Sequence, residues 1–508
     1  MKCVSKPQIK MYSSQRNVFE FKDIVLDWEI SSILQHDGDF NCLERAATFS
    51  GSSAYFNGLK PLILAESWAT LKEDLIRYKQ GEIKGSELQV RKLQTRRSGP
   101  QTITMRGSIR KFDPKLEMVV LKSSSREEFL GRLKIQDHQI MREYQSQKII
   151  TCASQRNVLH GETFQVFQLS SLVTLNRAYE VCCLQPRIRF RSNLLGLDFQ
   201  GSKKSIKIDI ETTLNAPQNE AVNEFLNLQH GLKLVQGPPG TGKTTMIIQL
   251  LAQLVKHGEY VMVCAASNKA VQVIAKRFLD GYPTIPMIFA GREEKLDPSI
   301  ESIFLGTWQK QITEQFKVAH SFVEDMINLG NIGNEPNQES ILEVKKKVDE
   351  ILLKLVAYSI PIATSSLQSA ILQCSEAKNL KQKLDALSDV SRNLLKLSYS
   401  IGQMNNEVVE KYLLRGSKVL FCTLSFSGQY RKQSFRTDTL IVDEAAQATE
   451  ADTIIPFQHE PNKCLLVGDT NQLPAIVQSQ LARNNHYDWS MMYRLQVETG
   501  FPCSMLNI

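Results

Sequence analysis

Eight consecutive residues, Gly237 to Thr244, have the types and spacing that bind phosphate. They read GPPGTGKT and fit the pattern G-x-x-x-x-G-K-[ST] at every fixed position. A strand-like apolar stretch precedes them, and a helix-like stretch, Met246 to Val255, follows. Glycines let backbone N–H groups close around phosphate oxygens, and the start of a helix adds the positive end of its dipole. This context favours a nucleotide phosphate site over a chance match in a basic loop.

The side chains of this loop have separate expected tasks. Lys243 should reach the β- and γ-phosphates, and the hydroxyl of Thr244 should ligate Mg²⁺. The expected nucleotide-binding set on this segment comprises Gly237, Pro238, Pro239, Gly240, Thr241, Gly242, Lys243, Thr244 and Thr245.

Two acidic residues, Asp443 and Glu444, follow a later apolar strand, Thr439 to Val442. An acid at a strand end after a phosphate loop is the expected second magnesium-binding element. Asp443 is predicted to hold Mg²⁺ through water, and Glu444 to orient or deprotonate the attacking water. The alternative is a surface acidic pair, which the upstream phosphate loop disfavours.

The next apolar strand ends in GDTNQLP, Gly468 to Pro474. Gln472 can hydrogen-bond a γ-phosphate oxygen or the lytic water and so sense hydrolysis. Gly468-Asp469 could equally be only a turn. In open parallel sheets ligands bind at the carboxyl ends of the strands, and all three motifs fall at such ends.

An α/β sheet must position these motifs. From Gln218, predicted helices and strands alternate, which indicates a parallel sheet. The alternation stops between about 313 and 410. There, apolar residues repeat at three and four residues in two stretches, 341–355 and 380–394, and predict two long helices packed antiparallel.

The N-terminal part of the sequence has a different pattern of predicted helices and strands. Residues 1 to about 90 favour helices, and short strand-like pieces between 91 and 170 suggest a small barrel. A stalk or linker follows at 171–211. The basic run Arg91 to Arg97 either lines a nucleic-acid path or forms a solvated face or inter-domain strap.

Composition bounds the class of protein. The 508 residues, 42% of them hydrophobic, suit a globular chain of about three domains. Ten scattered cysteines without a C-x-x-C pair make a zinc site unexpected and suggest reduced core residues of an intracellular protein. The N-terminus lacks a signal-peptide core and no apolar run is long enough to span a membrane, so neither secretion nor membrane association is expected. The net charge of +8 fits solubility or a nucleic-acid partner equally well.

Together the motifs resemble one family. DEAAQATE (Asp443 to Glu450) and GDTNQLPA resemble superfamily 1 helicases of the up-frameshift and senataxin type. The segment 214–222 looks like the family's adenine-reading element, with Gln218 as the glutamine that pairs the base. CAASNKAV at 264–271 is similar to its first nucleic-acid-contacting motif, and FCTLS at 421–425 to a later one.

The resemblance implies a fold, an activity and partners. The expected fold class is α/β, with a P-loop NTPase RecA-like parallel sheet at 212–312 and 411–508, a small β-barrel domain and a helical-hairpin insertion at 313–410. ATP and Mg²⁺ are the implied cofactors, with 5′-to-3′ movement along single-stranded RNA or DNA. Ser267, Asn268 and Thr423 would contact the nucleic-acid backbone. The implied catalytic residues are Lys243, Glu444 and Gln472.

The sequence also departs from the family pattern. Gln272 stands where an aspartate is common and Ala266 where proline is usual. The chain stops at a stretch that looks like the one before the family's QYRMHP motif, so the second RecA-like lobe and its arginine fingers are expected to be missing. We therefore expect this chain alone to bind ATP and hydrolyse it very slowly.

Other functions are alternatives to the helicase hypothesis. The chain could be a nucleotide-gated nucleic-acid- or protein-binding module from a truncated helicase. A signalling GTPase or an AAA-type machine is disfavoured by the Gln218 element and by GDTNQLP. Lack of an N-terminal Cys/His-rich module tilts the resemblance towards the senataxin branch, which implies a nuclear more than a cytoplasmic location. The motifs are compatible with RNA and with DNA, because contacts to the backbone serve both. They do not identify the pathway or the protein partners.

Overall fold

The structure, a computed structural model, describes most of the chain. The described residues are 21–89, 92–95, 102–107, 118–123, 128–135, 148–153, 163–200, 202–203, 214–332, 334–430 and 435–507. The chain forms two compact units. The N-terminal unit comprises Met1–Gly201, Ala445–Gln458 and Gly468–Cys503, and the sheet unit comprises Ser202–Glu444, His459–Val467 and Ser504–Ile508.

The N-terminal unit contains a long helix, α3, against which α2 and α4 pack. The helices are α1 (Phe21–Leu26), α2 (Ile30–Gln35), α3 (Ser52–Lys79), α4 (Val173–Leu184) and α5 (Arg191–Leu194). In α3 the aromatic residues Tyr55, Phe56 and Trp68 are buried, so the helix forms the centre of this core.

A seven-stranded antiparallel sheet completes this part of the unit. Its strands are β1 (Gly85–Gln89), β2 (Lys92–Thr95), β3 (Thr102–Gly107), β4 (Met118–Ser123), β5 (Glu128–Ile135), β6 (Lys148–Ala153) and β7 (Thr163–Gln168). They pair in the order β1-β7-β4-β5-β6-β3-β2. Within the described strands β1 and β2 do not pair, so closure into the expected barrel stays a prediction. Of the basic run 91–97, only 92–95 lies within the described residues.

The sheet unit is built on an eight-stranded sheet. Its strands are β8 (Ser202–Lys203), β9 (Leu228–Gln236), β10 (Val261–Ala265), β11 (Met287–Ala290), β12 (Val419–Thr423), β13 (Thr439–Asp443), β14 (Lys463–Gly468) and β15 (Cys503–Met505). The order is β11-β12-β10-β13-β14-β9-β15, with β8 antiparallel to β9. In this order the neighbouring pairs β11–β12, β12–β10, β10–β13 and β13–β14 are all parallel. The parallel pairing confirms the predicted α/β class.

Three helices pack on this sheet and form its main apolar core. They are α6 (Ala216–Asn227), α7 (Lys243–Lys256) and α8 (Asn268–Gly281). Phe225, Leu251 and Phe278, one from each helix, are fully buried against strand residues such as Phe421. Burial on both faces explains why the strands read as continuous apolar runs.

In the part of the chain that the structure describes, the segment between β11 and β12 contains five α-helices, which follow two short 3-10 helices (Glu293–Lys295 and Pro298–Ile303). The α-helices are α9 (Trp308–Asn331), α10 (Gln338–Ala357), α11 (Ser365–Glu376), α12 (Leu380–Gly402) and α13 (Asn406–Gly416). Gln309 at the start of α9 donates to the Ile401 carbonyl near the end of α12, at 2.5 Å, while Gly330 meets Leu384 at the opposite ends. The antiparallel hairpin is therefore formed by α9 and α12.

This pairing differs from the one we expected between 341–355 and 380–394. Both stretches do form amphipathic helices, α10 and α12, but α10 packs chiefly on α9. The physical reason is that periodicity shows that a helix face is buried and does not show which helix buries it.

Four short α-helices complete the set of α-helices within the described residues, beside 3-10 helices at Ala445–Gln447 and Ile455–His459 and a π-helix at Arg494–Glu498. The four α-helices are α14 (Leu424–Ser427), α15 (Glu450–Thr453), α16 (Gln480–Asn484) and α17 (Met491–Tyr493). Across the part of the chain that the structure describes, no helix combines the length and apolar character that crossing a membrane requires.

Candidate nucleotide-binding site

The phosphate loop connects β9 to α7. Gly240 and Gly242 have φ angles of +85° and +79°, in the left-handed region that glycine adopts without strain. A Cβ on Gly242 would lie 2.5 Å from the side-chain nitrogen of Gln218, so a larger residue does not fit there. The first amides of α7 have no intrahelical partner, and the loop therefore offers N–H donors to an anion.

Lys243 begins α7 and folds back over the loop. Its Nζ donates to the Gly237 carbonyl at 2.7 Å. Thr244 follows as a half-buried residue, and Thr241 is buried with its hydroxyl donating to the Pro238 carbonyl at 2.8 Å. The ammonium group is thus already held at the mouth of the loop, within reach of any phosphate bound there.

The remaining loop residues surround that mouth. Gly237 is buried, whereas Pro238, Pro239, Gly240 and Thr245 are exposed. A Cβ on Gly237 would lie 2.7 Å from Cγ of Lys243, so this glycine makes room for the lysine stem.

Asp443 ends β13 as a buried carboxylate with an unsatisfied oxygen. It is 6% exposed, and among the residues that the structure describes its Oδ1 has no hydrogen-bond partner. Burial and the neighbouring Glu444 raise its pKa to about 6, against a smaller lowering by Lys243. A buried carboxylate oxygen with no donor is the kind of ligand that Mg²⁺ takes, so Asp443 and the Thr244 hydroxyl fit the expected cation.

Glu444 has an unusual backbone. Its φ is +51°, a left-handed conformation that costs a non-glycine residue about 1–2 kcal/mol. The sharp turn directs the chain away from the strand immediately after Asp443. The sequence shows the acidic pair, but it does not predict this backbone torsion angle.

Gln218 lies beside the phosphate loop, as its expected role requires, but it also has structural partners. Its Nε2 donates to the Thr241 carbonyl at 2.8 Å, and its Oε1 accepts from the Asn215 backbone N–H at 3.1 Å. Asn215 in return accepts from the Gln218 backbone, which completes a capping box at the start of α6. An amide retains a second N–H and a second lone pair, so base reading stays a prediction.

The expected nucleic-acid contacts follow two neighbouring strands. Ser267 and Asn268 come after β10, and Thr423 ends β12, whose Cα atoms pair with those of β10. Both hydroxyls are helix N-caps: Ser267 accepts from the Ala270 N–H and Thr423 from the Phe426 N–H, each at 3.2 Å. A capping hydroxyl still has its own O–H to donate, so phosphate contact remains compatible with capping.

Gln472 belongs to the N-terminal unit and sits in a small polar network there. Its Nε2 donates to Asp469 and its Oε1 accepts from Gln447, both at 3.3 Å. Gln447 lies within DEAAQATE, but its residue type and position alone do not indicate this contact. Gly468 allows this arrangement because a Cβ there would lie 2.9 Å from the Ala446 nitrogen.

Comparison with known proteins assigns the chain to a family. The family model AAA_11, described as AAA domain, matches residues 213–480, which include the phosphate loop, the acidic pair and GDTNQLP. The chain belongs to this family. The description AAA domain covers a broad class of proteins. Individual proteins that are similar to this chain indicate a narrower class.

Those relatives are named helicases or nucleic-acid-binding proteins. Helicase sen1 of Schizosaccharomyces pombe is 30% identical over 326 residues, 58% of this chain and 19% of that protein. Probable helicase senataxin of Mus musculus is 28% identical over 294 residues, 51% of this chain and 10% of that protein. DNA-binding protein SMUBP-2 of Rattus norvegicus is 26% identical over 360 residues, 68% of this chain and 31% of that protein.

These similarities confirm the resemblance to superfamily 1 helicases of the senataxin type. The chain spans less than half the length of each of the three relatives. Family membership therefore extends to the segment that carries the motifs, and the activity of the whole protein is a matter for proposal.

Proposed function

We propose that this chain is the ATP-binding part of a helicase that moves 5′ to 3′ along single-stranded RNA or DNA. The observation that carries the proposal is the buried Oδ1 of Asp443, which has no hydrogen-bond partner within the described residues. It lies in the same unit as a phosphate loop whose own Lys243 donates to the Gly237 carbonyl. The helicase relatives support the same function. The direction of movement rests on the family resemblance alone.

The residues of the sheet unit would share the chemistry as follows. The Thr244 hydroxyl and Asp443 would hold Mg²⁺, which would supply positive charge to the nucleotide phosphates. Lys243 would exchange the Gly237 carbonyl for phosphate oxygens. Glu444 would accept a proton from the attacking water. The part of Gln472 in sensing hydrolysis stays a prediction.

The loops after β10 and β12 would bind the nucleic acid. Ser267, Asn268 and Thr423 carry hydroxyl or amide donors, which suit phosphate oxygens and do not read sequence. Such contacts would serve RNA and DNA alike. Single-stranded DNA is a sensible first probe because one relative is named a DNA-binding protein.

The test is ATP binding and phosphate release by the purified chain, with and without single-stranded DNA or RNA. We expect Mg²⁺-dependent ATP binding, and we expect Lys243→Ala to reduce phosphate release by about 100-fold or more, as loss of a transition-state donor does. Lys256→Ala is the matched control because it removes an exposed lysine from the other end of α7.

Each outcome has a distinct meaning. Stimulated turnover that Lys243→Ala abolishes supports the ATPase, and unwinding of duplexes with 5′ rather than 3′ overhangs supports the direction. Binding with very slow turnover is the expected result for a first lobe without arginine fingers. Binding with no detectable turnover, also in the presence of nucleic acid, favours the second candidate, a nucleotide-gated module that does not hydrolyse. Failure of the wild-type chain to bind ATP would overturn both.

A further inference from the structure

We propose that Arg292 is a further phosphate-binding residue, which extends the nucleic-acid track from β10 and β12 onto the edge strand β11. The inference rests on the proposed function, since it adds a contact to the same track. It arises from the sheet order, a close approach of two loops, and a guanidinium group that has no partner among the described residues. The resembling motifs do not include this segment.

The sheet order brings three loops into one row. Strands β11, β12 and β10 are consecutive and parallel, so their carboxyl ends lie at one edge. Arg292 follows β11 by two residues, as Asn268 follows β10 by three. Neighbouring strands lie about 4.8 Å apart, so the row from β10 to β11 is about 10 Å wide. This width suits a track along a backbone rather than a single point contact.

The loop that carries Arg292 lies directly beside a predicted contact. A Cβ built on Gly291 would lie 3.7 Å from Oδ1 of Asn268. The backbone of the β11 loop thus packs against the side chain expected to touch phosphate. A strand bound by Asn268 would therefore pass within reach of the next residue, whose side chain is long and exposed.

Gln272 fixes this loop to the helix that carries Asn268. Its Nε2 donates to the Lys295 carbonyl at 2.7 Å, and its Oε1 accepts from the Asp297 N–H at 2.6 Å. The Gln272 amide can donate and accept at the same time, whereas the ionised aspartate common at this position in the family only accepts. The departure from the family pattern thus serves to hold the 292–297 loop on α8.

The charge at this edge is available for a ligand. Arg292 and Lys269 are exposed, and neither side chain has an ion-pair or hydrogen-bond partner within the described residues. Glu293 and Glu294 come directly after Arg292, and their negative charges make the local electrostatic potential less positive. The site is therefore not a broad basic patch, and recognition depends on the guanidinium fork, which matches phosphate oxygens in a bidentate geometry.

The test is the salt dependence of binding to a fluorescent single-stranded DNA, measured by anisotropy. Each phosphate contact to a single strand contributes about 0.7 to the slope of log K against log salt. We expect Arg292→Ala to lower the magnitude of the slope by about 0.7. Arg292→Lys should keep the slope but weaken binding, because lysine lacks the fork.

Arg277→Ala is the matched control. It removes the same charge from an exposed position near the far end of α8, and it should leave the slope unchanged. Equal slopes for Arg292→Ala, Arg277→Ala and the wild type would overturn the role of Arg292 while leaving the helicase proposal standing. If the wild type binds neither single-stranded DNA nor RNA, the proposed function itself fails.

Discussion

Gly242 combines two constraints at a single residue. Its φ of +79° excludes most side chains on conformational grounds, and the nearby Gln218 amide excludes them on steric grounds. Gln218 is held there by Thr241 and Asn215, so it cannot retreat without breaking the capping box. The phosphate loop and the start of α6 are therefore coupled through one amide.

Replacing Gly242 with alanine should reduce ATP affinity at least about tenfold. The strain in φ costs about 1–2 kcal/mol, and the clash displaces Gln218 from the loop carbonyl. Titration of a fluorescent ATP analogue measures the effect. Gly258→Ala is the control, since Gly258 has a φ of +80° but open space around it. Equal affinities for the two variants would show that the Gln218 contact is unimportant.

The strand–loop–helix arrangement around the phosphate loop could be predicted, because the motif prescribes a backbone as well as side chains. Lys243 and Thr244 begin α7 directly after the loop, and their contacts with a nucleotide stay a prediction. The second role of Gln218 and the left-handed Glu444 could not be predicted, because both depend on torsions and contacts formed by residues distant in sequence. The proposed role of Arg292 could not be predicted either, because it depends on the order of the strands in the sheet and on the approach of the β11 loop to Asn268.

At the scale of elements, α12 shows how much a periodic pattern determines. Leu387, Val390 and Leu394 lie fully buried on one face, whereas Leu395 is 50% exposed. Burial of that face stabilises the hairpin with α9. The pattern predicts the helix and its buried face, and the choice of α9 as partner depends on shape complementarity that a pattern does not contain.

Leu394→Ala should destabilise the insertion by about 2–5 kcal/mol, because it leaves a cavity in the α9–α12 core. Leu395→Ala, its neighbour, should change stability by no more than about 0.5 kcal/mol. Native-state hydrogen exchange of the α12 amides provides the measurement. Similar loss of protection in both variants would contradict the burial of this face.

At the scale of the whole molecule, Glu450 joins distant segments within the N-terminal unit. Glu450 forms ion pairs with Arg45 at 2.9 Å and with Arg494 at 2.7 Å. It also accepts a hydrogen bond from the Tyr55 hydroxyl at 2.8 Å. All four side chains are almost inaccessible to solvent. Burial alone would raise the pKa of Glu450, but Arg494 and Arg45 outweigh it and lower the pKa to about 2.

Because this folded-state pKa lies below the usual value of 4.5, Glu450 stabilises the fold fully above pH 4.5. Its contribution, about 3 kcal/mol, is lost as the pH falls towards 2. Glu450→Gln should destabilise the protein by about 3–5 kcal/mol at pH 7, since two buried guanidinium groups lose their counter-charge. Urea-induced unfolding at pH 7 and pH 3 should show the difference from wild type shrinking with acid.

Glu82→Gln is the control for that experiment. Glu82 pairs with Arg77 on the surface, where both side chains are about half exposed, so its loss should cost at most about 1 kcal/mol. A deficit for Glu450→Gln that is equally small, or that does not depend on pH, would contradict the buried ion-pair network.

The order of strands along the chain also has a consequence for how the protein folds. Strand β12 lies between β10 and β11 in the sheet, yet it follows β11 in the chain only after all five insertion helices. The β11 segment therefore emerges from the ribosome before the neighbour it must pair with. Gln309, near the start of α9, bonds to carbonyls of Ile401 and Met404 near the end of α12. Folding of the insertion thus brings its own ends together and shortens the loop that the pairing of β11 with β12 has to close.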